Sequence, residues 1–389
     1  MEVGGVFDRQ NHLDWDRYRA KGTEPPIVAD ATIYDEELHL AGLVEPLGFD
    51  SYWAIDHYVT PYGMTGGVMQ HLSNIAGRTS RIDLGTMVLV LPWYDPMKVV
   101  HQISALDNML QGRRLTLGVG RGAAIREFDG FRIPMSDARG RYEECLAIMK
   151  LAMTQEWFSF DGEFFTIPET TVRPHFRNPE RLLADMKSGW ASPASLPLAA
   201  NAGLGMLLTN QKSWADYRKD VGDFNRIRSE NGWAATQPTV VVRAACLESS
   251  QEAWDAMSTY TLEGQRSSAN HYQLDDTERL LNTKGYEQYA QRRKADPTDE
   301  QIVEAAARPQ AWGTPDEVYD RLRLIQQLTG ANEFVLSFRY GTMPVELAER
   351  SMRLFAEEVL PRLHKDDAPL DVELSGRAPM AGTLDPGHG

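Results

Sequence analysis

The sequence predicts an α/β chain closed into a single (β/α)8 barrel, with insertions after strands four and seven. Three observations predict it. Short β-rich segments alternate with longer helical ones along 389 residues, a length that suits one α/β barrel carrying insertions. The third strand, Ile82 to Pro92, is apolar almost throughout, the mark of a strand buried on both faces of a parallel sheet. About eight β/α units follow one another, and eight parallel strands close more readily than they stay an open, doubly wound sheet, which is the alternative.

The units run in order. Val3 to Phe7 reads as strand one. Asp35 to Leu47 has apolar residues at helical spacing and stops at Gly48, a helix-ending residue. Ser51 to Ile55 is strand two, Val68 to Ala76 a helix, Ile82 to Pro92 strand three and Met97 to Leu110 a helix. Arg114 to Gly118 is strand four, followed by the amphipathic stretch Arg139 to Met153. Residues 158–184 break the rhythm with Asp161-Gly162 at a hairpin turn and Pro168, Pro174 and Pro179 beyond it, so they read as an insertion on the barrel. The pattern resumes with strands at Met186 to Trp190, Met206 to Thr209 and Thr239 to Cys246, and helices at Pro193 to Ala202, Trp214 to Asn231 and Ser250 to Leu262. Residues 263–309 are polar and weakly periodic. Thr314-Pro315-Asp316-Glu317 combines a cap, a first-turn proline and a capping-box glutamate, a strong helix start. Glu333 to Phe338 is the last strand and Pro344 to Leu363 the last helix. Residues 1–365 therefore form one domain, and the Pro-, Gly- and Asp-rich residues 366–389 a loose tail.

Composition narrows the function. Lys and Arg number 40 against 55 Asp and Glu, leaving a formal net charge of −15, which repels a phosphate polymer, so nucleic acid is excluded as a partner. No targeting segment opens the chain, and no apolar run nears the ~20 residues that span a bilayer. Cys145 and Cys246 belong to no ligand cluster, and reduced thiols fit the cytoplasm.

Three places carry candidate chemistry. Strand four runs into Gly118-Val119-Gly120-Arg121-Gly122, where glycines let a ligand approach and the Arg121 fork can grip a phosphate. The third glycine of a dinucleotide fingerprint is Ala123, so that reading is rejected; a plain tight turn is the competing account. Ser192-Pro193-Ala194-Ser195 opens a helix after a strand, an anion site by its free N–H groups and two hydroxyls, or an ordinary cap. Asp56-His57 ends strand two, placing a histidine able to act as acid or base where a barrel keeps its active site. Asp56 faces away from it. His71, His101, His175 and His271 have no ligand spacing to His57, so no metal is expected. Trp93, Tyr94, Trp190 and Met87 stand near strand ends and can line a flat apolar pocket, or simply pack the core.

In this order the segments resemble the bacterial luciferase-like family of flavin-dependent monooxygenases. The resemblance rests on Leu47-Gly48-Phe49-Asp50-Ser51-Tyr52-Trp53, Asp56-His57, Leu84-Gly85-Thr86, Leu106-Asp107 before Gly112-Arg113, Leu117 to Gly122, the Ser192-Pro193 helix start and Gly313-Thr314-Pro315. It spans about Met1 to Leu363.

That resemblance implies a barrel binding FMN at the carboxyl ends of its strands. It implies phosphate contacts from Arg121, the backbone at Ala123, Ser192 and Ser195. It also implies a non-prolyl cis peptide at Met87-Val88 under the flavin ring, and His57 as the active-site histidine. The implied reaction takes reduced FMN from a partner flavin reductase and O2, and oxygenates a small apolar organic substrate, a carbonyl or terpenoid-like compound, through a C4a-peroxyflavin. Residues 263–309 would be the lid between strands seven and eight, with Asn270, His271 and Tyr272, besides Trp93 and Tyr94, at the substrate. A homodimer is implied as well. Luciferase's reactive cysteine position is Gly120 here, and a neighbouring glutamate position is Ala191, so light emission is not implied. Relatives that use the deazaflavin F420 as a hydride carrier share Asp-His, which leaves an F420-dependent dehydrogenase as the alternative, and a non-catalytic flavin-binding subunit as a third reading.

Overall fold

The computed structural model describes residues 1–189, 195–292 and 297–365. Eight parallel strands close on themselves. Numbered in chain order they are β1 (Glu2–Val6), β2 (Ser51–Ala54), β3 (Asp83–Val90), β4 (Leu115–Gly120), β5 (Lys187–Gly189), β6 (Gly205–Leu208), β7 (Thr239–Cys246) and β8 (Glu333–Ser337). Each pairs with its neighbour in sequence, β1 also pairs with β8, and the barrel is complete.

Packing explains the closure. Inside the barrel, Val6, Trp53, Ile55, Leu207 and Val335 form one apolar cluster with Met87, Val88 and Val241 against it. Trp53 on β2 takes most of the room, so the strands beside it carry glycines. A methyl on Gly85 of β3 would lie 2.4 Å from the Trp53 ring, and one on Gly4 of β1 2.9 Å from it. At the amino end of the barrel, buried Glu333 accepts from Ser51 Oγ at 3.1 Å and Thr239 Oγ1 at 2.9 Å, with Lys187 Nζ 3.5 Å away. Four strands thus meet at one carboxylate.

Several expectations need correction. The helix expected at Asp35 to Leu47 is Asp30–Leu43. β4 does not end at Gly118 but continues to Gly120. Both glycines are strand residues because β3 crowds them: a methyl at Gly118 would sit 2.1 Å from the Thr86 carbonyl oxygen, and one at Gly120 2.4 Å from Val88 Cγ2. The helix expected to stop at Leu262 runs from Ser250 to Tyr272, so polar residues after 262 extend a helix instead of opening a loop. The last helix breaks into Val345–Glu358 and Leu360–Lys365. Helices Trp15–Ala20 and Ile125–Phe131, and a short strand Ala311–Gly313 on the edge of β7, escaped the sequence reading.

Between β4 and β5, Phe158–Asp161 pairs antiparallel with Thr166–Thr170, and the Glu144 carboxylate receives the backbone N–H groups of Glu163, Phe164 and Phe165 at the loop. Between β7 and β8 lie the helix ending at Tyr272 and the short helices Thr277–Leu281, Glu287–Arg292 and Asp299–Ala306. No described helix is long and apolar enough to cross a membrane. Ser192, Trp190 and the tail from residue 366 lie outside the described residues.

Gly85→Ala is expected to destabilise the chain by about 2 kcal/mol through overpacking against Trp53, read as a lower urea midpoint. Gly77→Ala is the control. Its added methyl meets nothing within 4 Å, and the change is expected to stabilise by up to ~1 kcal/mol through helix propensity.

Candidate active site

His57 stands three residues past the last residue of β2, at the carboxyl rim of the barrel. Its Nδ1 is 3.2 Å from Glu127 Oε1. Glu127 projects from the helix Ile125–Phe131 and is fully buried. The same carboxylate accepts the Tyr58 backbone N–H at 2.7 Å. From across the rim, the last turn of the helix Ser250–Tyr272 brings two more residues. His271 Nε2 lies 3.3 Å from Glu127 Oε2 and 3.2 Å from His57 Nδ1. Tyr272 Oη lies 3.4 Å from His57 Nε2. Tyr62 stacks on His271 with ring centroids 4.6 Å apart.

Proton positions follow from the partners. His271 Nε2 faces the Glu127 carboxylate, an acceptor only, so in the neutral ring Nδ1 is the acceptor and the Thr60 hydroxyl, 2.7 Å away, donates to it. His271 then carries its proton on Nε2 and donates to Glu127. Burial pushes the His271 pKa down to about 4, so it stays neutral. Burial pushes His57 down, but the Glu127 carboxylate and its hydrogen bond, with Asp56 and Asp8, together raise it by more, and the net shift is upward. Burial acts to raise the Glu127 pKa, yet His57 and His271 hold it below the ordinary carboxylate value. The three groups therefore form a buried carboxylate serving one imidazolium-prone ring and one neutral ring.

Asp56 turns the other way. It accepts the Val90 backbone N–H at 3.1 Å and the Tyr94 hydroxyl at 2.9 and 3.0 Å. Burial pushes its pKa up to about 6. Tyr94 Oη is 2.8 Å from Tyr58 Oη, and Tyr58 meets Trp93 and Phe131 edge-on. Trp93, Tyr58, Phe128 and Phe131 make an aromatic wall beside His57.

Next to this wall stands Arg121, a cation with donors to spare. β4 and β5 are neighbours, with Val119 paired to Ser188, so Arg121 and the helix Ser195–Asn201 follow adjacent strand ends. Arg121 Nη2 donates to the Gly285 carbonyl at 2.8 Å, and its guanidinium lies 4.2 Å above the Tyr286 ring. Its Nη1 is buried and, among the described residues, has no hydrogen-bond partner. Such a group costs about 1–3 kcal/mol unless something pairs with it, and a phosphate oxygen is a fitting partner. Gly122, at φ +75°, turns the chain past Ala123, which packs at the edge of the aromatic wall. The peptide between Met87 and Val88 is cis, and both side chains face the apolar barrel interior. These groups fit a flavin with its phosphate at Arg121 and its ring over Met87-Val88.

The structure thus gathers His57, His271 and Tyr272 at one point, with Trp93 and Tyr94 on the adjacent wall. It does not bring in Asn270, whose side chain accepts from Arg19 at 3.3 Å in an exposed position. The sequence spacing that separated His271 from His57 misled, since His57, Glu127 and His271 place ligand-capable atoms within 4.8 Å of one another. A lone acid in a short helix gave no signal of Glu127. Arg243 also went unread, though a single charge inside Val240-Val241-Val242-Arg243 is visible in the sequence.

Known proteins share this sequence pattern and fold. A family model described as luciferase-like monooxygenase matches residues 19–332. The alkanal monooxygenase alpha chain of Photobacterium leiognathi is 25% identical over 353 residues, covering 87% of this chain and 96% of that one. An uncharacterized protein of Sinorhizobium fredii, y4vJ, is 33% identical over 144 residues, 37% of this chain and 41% of that protein. Among solved structures, monooxygenase RslO1 of Streptomyces bottropensis superposes with a TM-score of 0.71 at 25% identity, covering 93% of this chain and 99% of that one. The oxygenating constituent of 3,6-diketocamphane monooxygenase of Pseudomonas putida, in complex with FMN, gives 0.66 at 19% identity, covering 93% and 99%. An F420-dependent secondary alcohol dehydrogenase gives 0.67 at 14% identity, covering 93% and 98%. At these last two identities the likeness is one of fold alone. With the family model covering most of its barrel, the chain belongs to the luciferase-like monooxygenase family.

Proposed function

We propose that the chain is a flavin-dependent monooxygenase. It takes reduced FMN from a separate flavin reductase and uses O2 to oxygenate a small organic carbonyl or terpenoid-like substrate. The observation that carries this reading is the buried Nη1 of Arg121 just past β4, which has no partner among the described residues, one strand away from the helix that Ser195 opens. Relatives named as alkanal monooxygenases support the oxygenation. Reduced FMN, when bound, supplies the two electrons that let one oxygen atom enter the product and the other leave as water.

The chain's own residues do the rest. Arg121, the Ala123 backbone and the helix start at Ser195 hold the phosphate. Met87 and Val88 form the apolar bed for the ring. Trp93, Tyr94 and Tyr58 exclude water on one side, which lengthens the life of any water-sensitive species in the site. His57, raised in pKa by Glu127, holds a proton on Nε2 toward the cavity, with Tyr272 Oη beside it. Tyr272 is the substrate-facing residue of the segment 263–309, which acts as the lid, while buried His271, expected at the substrate, is spent on Thr60 and Glu127 behind it. Its closed position is marked by Gly285 on Arg121 and by Tyr286 Oη donating to the Gly122 carbonyl at 2.9 Å. Two copies pair, and the enzyme works in the cytoplasm, where buried Cys145 and Cys246 stay reduced.

Three measurements test this. Reduced FMN is expected to bind more tightly than reduced riboflavin, which lacks the phosphate. Arg121→Ala should remove about 100-fold of that preference, as the loss of a buried charge-assisted contact implies. Binding of F420 with hydride transfer and no O2 uptake would overturn the assignment. The His57 titration, followed by NMR, should lie above the ordinary value of 6.5. A raised pKa keeps the ring protonated to higher pH, so activity that needs its proton falls as pH rises through that value. Glu127→Gln deletes the carboxylate charge and should move this limb about one unit toward acid.

A further inference from the structure

On β7 the residues alternate. Val240, Val242 and Ala244 are buried in the layer under the helices, while Val241 and Arg243 lie on the inward row and are only partly covered. Arg243 therefore points into the mouth of the barrel, near the end where His57 stands. Its guanidinium lies 5.5 Å from the centre of the Tyr340 ring. Gly264 in the helix Ser250–Tyr272 leaves it room, since a methyl there would come 3.6 Å from Nη2. Among the described residues no hydrogen bond or ion pair engages this guanidinium. Only the backbone N–H of Arg243 is used, donating to Gln310 Oε1 at 2.8 Å.

An acid, Asp8, faces the guanidinium from the loop after β1. The charge of Arg243 is felt by Asp8, His12, Tyr62 and Tyr340, which face it from the loops after β1, β2 and β8. Burial raises the Asp8 pKa, and its carboxyl is already bonded to the Gln10 side chain at 3.4 Å. His12 is neutral, pushed down to about 4 by burial and by Arg243 and Arg339. His12 Nε2 and Gln10 Oε1 are both buried and have no hydrogen-bond partner among the described residues. A guanidinium keeps its proton, and the donors of Arg243 that no described residue engages are open to an acceptor brought by a ligand. With His12 and Gln10 nearby, these polar groups at one end of the barrel mark a place for a polar part of a ligand.

We propose that Arg243 recognises an organic oxyanion, a carboxylate in the simplest case, on the substrate of this site, with His12 and Gln10 as flanking contacts. The carbonyl to be oxygenated then lies toward His57 and the acidic group toward β7. This names the substrate class within the oxygenase reading above and rests on that reading only for the chemistry, not for the binding. It narrows the expectation of a purely apolar substrate to an amphiphilic one.

Equilibrium binding of 10-oxodecanoate and decanal, measured by calorimetry without flavin, tests it. The two share chain length and carbonyl and differ by one terminal carboxylate. The wild-type protein is expected to bind the acid at least ten-fold more tightly than decanal. Arg243→Ala should reduce that ratio to near one, and Arg243→Lys should keep part of it. Equal binding of the two by the wild type overturns the proposal, as does a preference that survives in Arg243→Ala. Should Arg243→Ala fail to fold, Arg243→Gln and Arg243→Lys give the same reading. An Arg243-dependent preference without O2-dependent turnover would sink the oxygenase reading and leave this one standing; turnover without the preference would do the reverse.

Discussion

One buried carboxylate organises the rim of this barrel. Glu127 has no exposure to solvent, yet it satisfies the ring of His57, the ring of His271 and the backbone of Tyr58 at once. A lone carboxylate in that position would be costly to desolvate. Here the cost is offset by three donors from two separate segments, which fixes the distance between strand two and the long helix after strand seven. The wall around Trp93 and the placement of Tyr272 both follow from that fixed spacing. The electrostatic consequence is an unequal pair of histidines: one held toward the charged form, the other kept neutral by burial.

The barrel was readable in the sequence because its signals are local. A short apolar run is ambiguous by itself. Val240-Val241-Val242 and the apolar stretch through Leu89 nevertheless announce parallel strands, because helix starts such as Thr314-Pro315 separate one such run from the next. Boundaries failed where tertiary contacts overrode local pattern. Gly118 and Gly120 look like a turn in one dimension, whereas the crowding of β3 makes them strand residues. The helix after β7 continues to Tyr272 because its last turn docks on His57, a contact that composition cannot show.

The site was half readable. His57 and Arg121 announce themselves by standing after strands, where barrels place their chemistry. Glu127 and His271 do not, because their partnership spans 144 residues of chain and has no spacing rule. Asn270, adjacent in sequence to two residues that reach the site, turns instead toward Arg19 on the exterior. On a helix, neighbours in sequence face different directions, so a run of three consecutive residues cannot all face one cavity.

Arg121 is held from two sides by the crossing segment: Gly285 through its carbonyl and Tyr286 through its ring. The side chain proposed to grip an anion thus also ties down the segment that crosses above it. On that proposal, departure of a bound molecule and lifting of the segment share one bond and one ring contact, so a weakened tie would register as faster exchange before it registered as weaker equilibrium affinity.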